Sequence, residues 1–132
     1  MRIITTHIQI RFSDVDKLGH VNNAFYLSYI ELARMKYFEE IAGGINWENE
    51  GVIVARAEMD YRAPVLLADK IYVNTWCSRI GNKSFDLSYT LFKSGKSGDT
   101  EALHAKTVMV CFNYQTQKSF PVPAKWREWL QK

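Results

Sequence analysis

Hydrophobic and polar residues alternate with a period of two over residues 5–12: Thr6, Ile8, Ile10 and Phe12 share one face, and Thr5, His7, Gln9 and Arg11 the other. This is the pattern of a half-buried strand, and it points His7 to solvent. The period changes between Ala24 and Ile41. Phe25, Leu27, Tyr29, Ile30, Leu32, Ala33, Tyr37, Phe38 and Ile41 are too many for a narrow stripe, and Glu31, Arg34, Lys36, Glu39 and Glu40 leave only a restricted polar side. The pattern predicts a helix mostly wrapped by other structure. Asn22 or Asn23 can cap its start, and Gly43-Gly44 can close its end, because glycine tolerates the left-handed conformation of a helix C-terminus.

Alternation returns after a loop containing Trp47. Ile53, Ala55, Ala57, Met59 and Tyr61 interleave with Val54, Arg56, Glu58, Asp60 and Arg62 until Pro64 stops the strand. Strands follow over 71–79 and 83–92, joined by a Gly81-Asn82 turn, and over 102–114 after the turn Ser94 to Asp99. Pro121-Val122-Pro123 ends this regularity, and residues 124–130, with Trp126, Trp129 and Leu130, form a short terminal helix on the sheet.

One strand, one long helix and then an antiparallel run of strands define an α+β layout, a curved five-stranded sheet wrapped around a single helix. The 132 residues fit one domain spanning 1–132. Tyr72, Trp76, Phe92 and the terminal tryptophans supply apolar material for the outer face of the sheet. A second subunit is expected to pack there or edge to edge.

Composition narrows the function classes. A net charge of +3, with Lys and Arg scattered, gives no basic block for nucleic acid. No uncharged apolar run is long enough to span a bilayer, and the N-terminus shows strand alternation where a signal peptide needs an apolar block, so a cytoplasmic protein without membrane partners is expected. Cys77 and Cys111 lack metal-ligand or redox spacing and read as buried thiols. His7, His20 and His104 are too dispersed to argue a metal, and no cofactor is implied. Gly95-Lys96-Ser97 has Thr90 where a phosphate loop needs its earlier glycine. The G-x-S-x-G, H-E-x-x-H and G-x-G-x-x-G patterns are missing.

Chemistry concentrates in Asp14-Val15-Asp16-Lys17-Leu18-Gly19-His20-Val21-Asn22-Asn23, between the first strand and the helix. Asp14 ends the strand, where aspartate commonly accepts backbone hydrogen bonds. Asp16 lies further into the turn and can reach a ligand held at the helix N-terminus. The amides there, around Asn22 to Ala24, are unpaired within the helix and suit a polarised carbonyl or an oxyanion. A carboxylate facing such donors suits acyl transfer, by direct attack or by deprotonating water. Asp16 reads equally as a brace for the turn, and His20 as a hydrogen-bonded structural residue. Glu31 and Arg34 read as a surface or interface ion pair.

The run from Arg11 to Asn23, followed by Tyr26-Leu27 and Glu31-Leu32-Ala33-Arg34, resembles the opening of the hot-dog-fold acyl-CoA thioesterases. It is similar to the 4-hydroxybenzoyl-CoA thioesterase branch and its acyl-acyl-carrier-protein relatives. The resemblance continues through Tyr61-Arg62-Ala63-Pro64, Asp69 at the start of the next strand, and Gly81-Asn82-Lys83-Ser84-Phe85. It implies a long helix wrapped by an antiparallel sheet, paired into homodimers or homotetramers, with acyl-CoA or acyl carrier protein as substrate. It assigns the catalytic carboxylate to Asp16 and carbonyl polarisation to the backbone of Asn23, and makes His20 a secondary catalytic candidate. It places substrate contacts at Tyr61 and Arg62 and the nucleotide phosphates near Arg79, Lys83 and Ser84. The His-Val-Asn-Asn version resembles the fatty-acyl side of the family more than the aryl-CoA side. A non-catalytic acyl-CoA-binding module and a hot-dog dehydratase or hydratase are the alternatives.

Overall fold

The computed structural model describes residues 1–41 and 44–132. In chain order the elements are β1 (Ile4–Ile8), a 3-10 turn (Phe12–Asp14), α1 (Asn23–Glu40), β2 (Gly51–Tyr61), β3 (Ile71–Ile80), β4 (Ser84–Lys93), β5 (Thr100–Asn113), β6 (Lys118–Ser119) and α2 (Ala124–Gln131). The sheet is antiparallel, in the order β1-β3-β4-β5-β2, with β6 added to the end of β5. Six strands thus replace the expected five, because the turn after Asn113 folds two residues back onto β5.

β4 lies at the centre and is buried on both faces, and α1 lays Tyr26, Tyr29, Ile30, Ala33, Tyr37 and Phe38 on the inner face of the sheet. These six recur at the three- and four-residue spacing of a single helix face. The helix is therefore half wrapped in one chain: Leu27, Leu32 and Met35 remain 50%, 44% and 40% exposed. Asn22 is the cap, its side chain accepting the Ala24 amide at 3.0 Å. Of the two glycines expected at the helix end, Gly43 lies outside the described residues. Gly44 adopts φ +67 and donates its amide to the Ile41 carbonyl at 2.8 Å.

Three expectations need correction. The first strand stops at Ile8, and Phe12 sits in the 3-10 turn at 83% exposure, because Asp14 draws the Arg11 amide onto its carboxylate and bends the chain before the alternation is complete. The regular alternation of β2 is broken by a bulge at Ala55. Val54 stands opposite inward-facing Met109 and Ala57 opposite inward-facing Thr107, so Val52, Val54, Ala57, Met59 and Tyr61 share the inner face. Finally, the terminal tryptophans do not cover the outer face. Trp126 is fully buried and Trp129 packs edge-on against Tyr37 at 5.1 Å, with Arg2 stacked on its other side, so α2 closes the inner core beyond the end of α1. Tyr72, Trp76 and Phe92 remain half-buried on the outer face, Tyr72 stacked on Phe92.

His7 is exposed as expected. Both cysteines are free, Cys111 buried and Cys77 half-buried, and burial pushes their thiols up to about 12 and about 11. Such thiols stay protonated and inert near neutral pH.

The 3-10 turn is held by Asp14, which is fully buried. Its carboxylate accepts the Arg11 amide at 3.0 Å, the Arg11 guanidinium at 3.0 and 3.1 Å, and the Tyr29 hydroxyl at 2.6 Å. Burial by itself pushes this carboxyl up, but the bonds from Tyr29 and from the amide and guanidinium of Arg11 outweigh it and hold the group below its ordinary 3.8. A carboxyl lowered by folding contributes stability that is complete above about pH 5 and is lost as pH falls through the lower folded value. Asp14→Asn is accordingly expected to cost about 1–3 kcal/mol at neutral pH by leaving buried donors unpaired. Urea unfolding of parent and variant from pH 7 down to pH 3 checks this. The gap should narrow toward acid, and equal midpoints at pH 7 would refute the assignment.

Candidate active site

The polar turn after Asp14 is a small closed loop. Val15 pairs with Val21 in an antiparallel bridge, the Asp16 amide donates to the His20 carbonyl at 2.8 Å, and the Gly19 amide donates to the Asp16 carbonyl at 3.0 Å. Gly19 takes φ +82, a left-handed conformation that side chains disfavour, and this lets the chain reverse within four residues. The reversal directs the Leu18 and His20 amides at one oxygen of Asp16, Oδ1, at 2.9 and 3.2 Å. The other oxygen has no hydrogen-bond partner among the described residues. Asp16 thus braces the turn through one oxygen and leaves the other without a partner among the described residues.

The loop is tied to its surroundings on both sides. The Val21 amide donates to the Val65 carbonyl at 2.8 Å, and His20 bridges to Leu66, which brings the segment after β2 alongside. The Asn22 amide donates to the Asp14 carbonyl at 2.9 Å, so the buried Asp14 positions the cap residue of α1 as well. With Asn22 accepting the Ala24 amide through its side chain and the Phe25 amide through its carbonyl, the Asn23 amide is left without an acceptor among the described residues.

These pieces line one cleft of about 280 Å³, whose walls include Asp16, His20, Asn23, Tyr26, Tyr61 and Arg62, with Val21, Ala63 and Pro64 completing it. Tyr61 stands edge-on to Tyr26 at 5.3 Å and donates its hydroxyl to the Asn23 carbonyl at 3.4 Å, bridging the end of β2 to the first turn of α1. Arg62 pairs with Glu101 at 3.3 Å and keeps more than half of its side chain exposed. A carboxylate oxygen, a free helix-start amide and an imidazole around one cleft can activate water, or attack directly, beside a polarised carbonyl.

Five of the eight residues singled out in the sequence therefore converge: Asp16, His20, Asn23, Tyr61 and Arg62. The other three do not join them in this chain. Arg79 is tied to Asp86 at 3.2 Å and to the Ser84 hydroxyl at 3.3 Å, and Lys83 is exposed in the β3–β4 turn. Ser84 stands opposite Val110 on β5 and Tyr61 opposite Leu103. Seven residues of strand, about 23 Å, separate the two places. Tyr26, Val21, Ala63 and Pro64 lie within the motifs noted in the sequence but were given no site role there. Of these, Pro64 carried a usable signal, since a proline that stops a strand beside a tyrosine and an arginine marks the strand end where the cleft forms.

Among the described residues no group of three His, Cys, Asp or Glu side chains could hold a metal ion, and no helix is long and apolar enough to cross a membrane.

Comparison with known proteins agrees with this picture. The thioesterase-like superfamily matches residues 10–130. The chain is 30% identical over 129 residues to the long-chain acyl-CoA thioesterase FadM of Escherichia coli (strain K12), covering 96% of each chain. It is 26% identical over 130 residues to the 1,4-dihydroxy-2-naphthoyl-CoA hydrolase of Synechococcus elongatus, covering 92% of this chain and 90% of that one. Among solved structures, a thioesterase from Thermus thermophilus complexed with coenzyme A and Zn superposes with a TM-score of 0.84 at 35% identity, covering 97% of both chains. The chain belongs to the thioesterase-like superfamily and is a thioester hydrolase of the hot-dog fold.

Proposed function

We propose that this protein hydrolyses the thioester of an acyl-CoA, or of an acyl group on carrier protein, with Asp16 as base or nucleophile. The observation that carries the reading is that Asp16, with one oxygen free, and Asn23, with its amide unpaired among the described residues, line the same cleft. The thioester carbonyl oxygen accepts the Asn23 N–H, which makes the carbonyl carbon electrophilic. Acting as base, Asp16 takes a proton from water as the oxygen adds to that carbon. The tetrahedral intermediate then expels the thiolate, which recovers the proton, so acyl thioester plus water gives free acid plus thiol. Acting as nucleophile, Asp16 forms a mixed anhydride and releases the thiol first, and water then cleaves the anhydride. Oδ1 keeps its two amide bonds throughout, so the reacting oxygen is presented in a fixed direction.

The other cleft residues take supporting parts. His20 lies beside Asp16 and orients the water. Tyr61 holds the first-turn carbonyl of Asn23 and flanks the acyl-pantetheine path. Arg62 is at the cleft with an exposed cation for a phosphate. Relatives named as acyl-CoA thioesterases and hydrolases support coenzyme A as the carrier.

The enzyme acts as a homodimer built on β2. That strand pairs only with β5 among the described residues, and its outer edge presents Val54, Ala55, Arg56 and Ala57 to solvent beside exposed Leu27 and Met35 of α1. A free apolar edge of this length favours pairing with a second copy. Antiparallel pairing about a two-fold axis sets the Tyr61 end of one β2 beside the Gly51 end of the other. The partner's β3–β4 turn then approaches the cleft, and Arg79, Lys83 and Ser84 become able to meet the nucleotide of a substrate held by the first chain. Two free thiols suit the reducing cytoplasm, where we place the protein.

Thiol release from short, medium, long and aromatic acyl-CoAs tests the activity. Asp16→Asn is expected to lower kcat/KM by about 10²- to 10⁴-fold with unchanged circular dichroism. Full activity in the variant, or thiol release from none of the substrates by the parent, refutes the assignment. Binding of acyl-CoA without thiol release would identify a binding module, and dehydration of a 3-hydroxyacyl chain with its thioester intact a dehydratase. Replacing the helix cap, Asn22→Ala, should cost about 1 kcal/mol of stability and reduce kcat more than it raises KM, because the Asn23 amide loses its fixed direction. Light scattering should give twice the chain mass at micromolar concentration, and a monomer would remove the β2 pairing.

A further inference from the structure

α2 buries Trp126, Trp129 and Leu130 and leaves Lys125, Glu128 and Lys132 exposed, at the three- and four-residue spacing of one helix face. Beside that face the Arg2 guanidinium lies 4.3 Å from the Trp129 ring, and no carboxylate of the described residues pairs with it. Its Nε is buried without a hydrogen-bond partner. Arg2, Lys125 and Lys132 line a cavity of about 200 Å³ together with Trp129, and Glu128 is the one acid on its walls.

The cations continue past the helix. Arg127 donates Nη2 to the Gly81 carbonyl at 2.8 Å, which ties α2 to the β3–β4 turn. Leu130 and Gln131 share a further cleft with Arg79, and Lys83 stands exposed in the turn. Arg2, Arg79, Lys83, Lys125, Arg127 and Lys132 therefore gather at one end of the molecule. The carboxylates paired with them are three: Glu50 on Lys125 at 3.7 Å, Glu128 on Lys132 at 3.3 Å and Asp86 on Arg79 at 3.2 Å. This excess of cations equals the net charge of +3 carried by the whole chain, so the remaining side chains balance. The field of the protein is concentrated at this end.

We propose that this end is a docking surface for an acidic protein that carries its acyl group as a thioester on a prosthetic arm. The inference rests on the thioester reading of the Asp16 cleft and on the dimer built on β2. In that dimer the β3–β4 turn of one chain approaches the cleft of the other. A carrier seated on α2, which Arg127 holds against this turn, sends its arm past Arg79, Lys83 and Ser84 toward Asp16. The extent of the surface argues for a protein. Lys125 and Lys132 are about 10 Å apart along the helix, and the turn cations lie beyond it, so a nucleotide held by the turn leaves α2 uncovered. An acidic helix presents carboxylates at the same three- and four-residue spacing. Glu50, Glu128 and Asp86 stand among the cations. Their charges oppose the unbroken phosphate row of a nucleic acid or an anionic bilayer, whereas a protein surface of mixed sign accommodates them.

Calorimetric titration with an acidic acyl carrier protein bearing an S-octyl thioether on its phosphopantetheine tests this without turnover, with S-octyl-CoA as the comparison. Lys125→Glu combined with Lys132→Glu reverses charge on side chains that are 50% and 64% exposed, so the core is spared. The double variant should lose about tenfold or more in affinity for the loaded carrier and stay within about twofold of the parent for S-octyl-CoA. The ratio of the two is insensitive to any fraction of misfolded protein. An unchanged ratio overturns the proposal, whether both affinities hold or both fall together. So does binding of anionic phospholipid vesicles or duplex DNA as tight as that of the carrier. A parent that hydrolyses acyl-CoA and does not bind the carrier refutes the docking surface alone. A parent that binds the carrier with the expected ratio and releases no thiol supports the surface and refutes the hydrolase reading.

Discussion

The buried carboxylate of Asp14 is the constraint from which the rest of the molecule takes its shape. It collects a main-chain amide, a guanidinium and a phenol from three directions, and its own carbonyl holds the residue that caps α1. A buried charge survives only when it is so satisfied, and removing any of these donors leaves it costly. Through this group the end of β1, the start of α1 and the helix face at Tyr29 are fixed together. Asp16, two residues on, is therefore carried on the same hydrogen-bonded frame that holds Asn22, the residue before the Asn23 amide. The two neighbouring carboxylates have divided the work by environment: one is walled in and spends both oxygens on structure, and the other lines an open cleft with one oxygen left free.

Much of this could be read from the residues. The helix was marked by its change of period and by Asn22 ahead of it. The strands were marked by alternation and by the Gly81-Asn82 and Ser94 to Asp99 turns. Asp16, His20 and Asn23 stood out because polar residues of three kinds crowd between a strand and an apolar helix. What escaped reading depended on contacts between distant segments. Phe12 fits the alternation and yet leaves the strand, because the pull of Asp14 on Arg11 is not written in periodicity. Trp129 looks like a surface anchor in an amphipathic helix until Tyr37 and Arg2, far away in sequence, are seen to enclose it, and Trp126 packs against Phe120 and is fully buried.

The division between cleft and turn follows the same logic. Tyr61 and Arg62 share a cleft with Asp16 because the segment after β2 is hydrogen-bonded to Val21, a contact across more than forty residues that no local pattern announces. Arg79, Lys83 and Ser84 lie at the opposite end of the sheet for an equally simple reason: the β3–β4 hairpin and the antiparallel pairing of β2 with β5 put these residues and Tyr61 at different ends of their strands. The sheet is open, with β1 and β2 at its two edges, so nothing within one chain folds those ends together.

The extra residue at Ala55 has a further meaning for how such a sheet can vary. A strand with strict alternation carries a single parity, so a residue inserted or lost near one end turns every side chain beyond it inside out. A bulge resets that parity. Upstream of Ala55 the strand lines a cavity beside α1 and downstream it lines the Asp16 cleft, so each half can drift in sequence while the other keeps its facing.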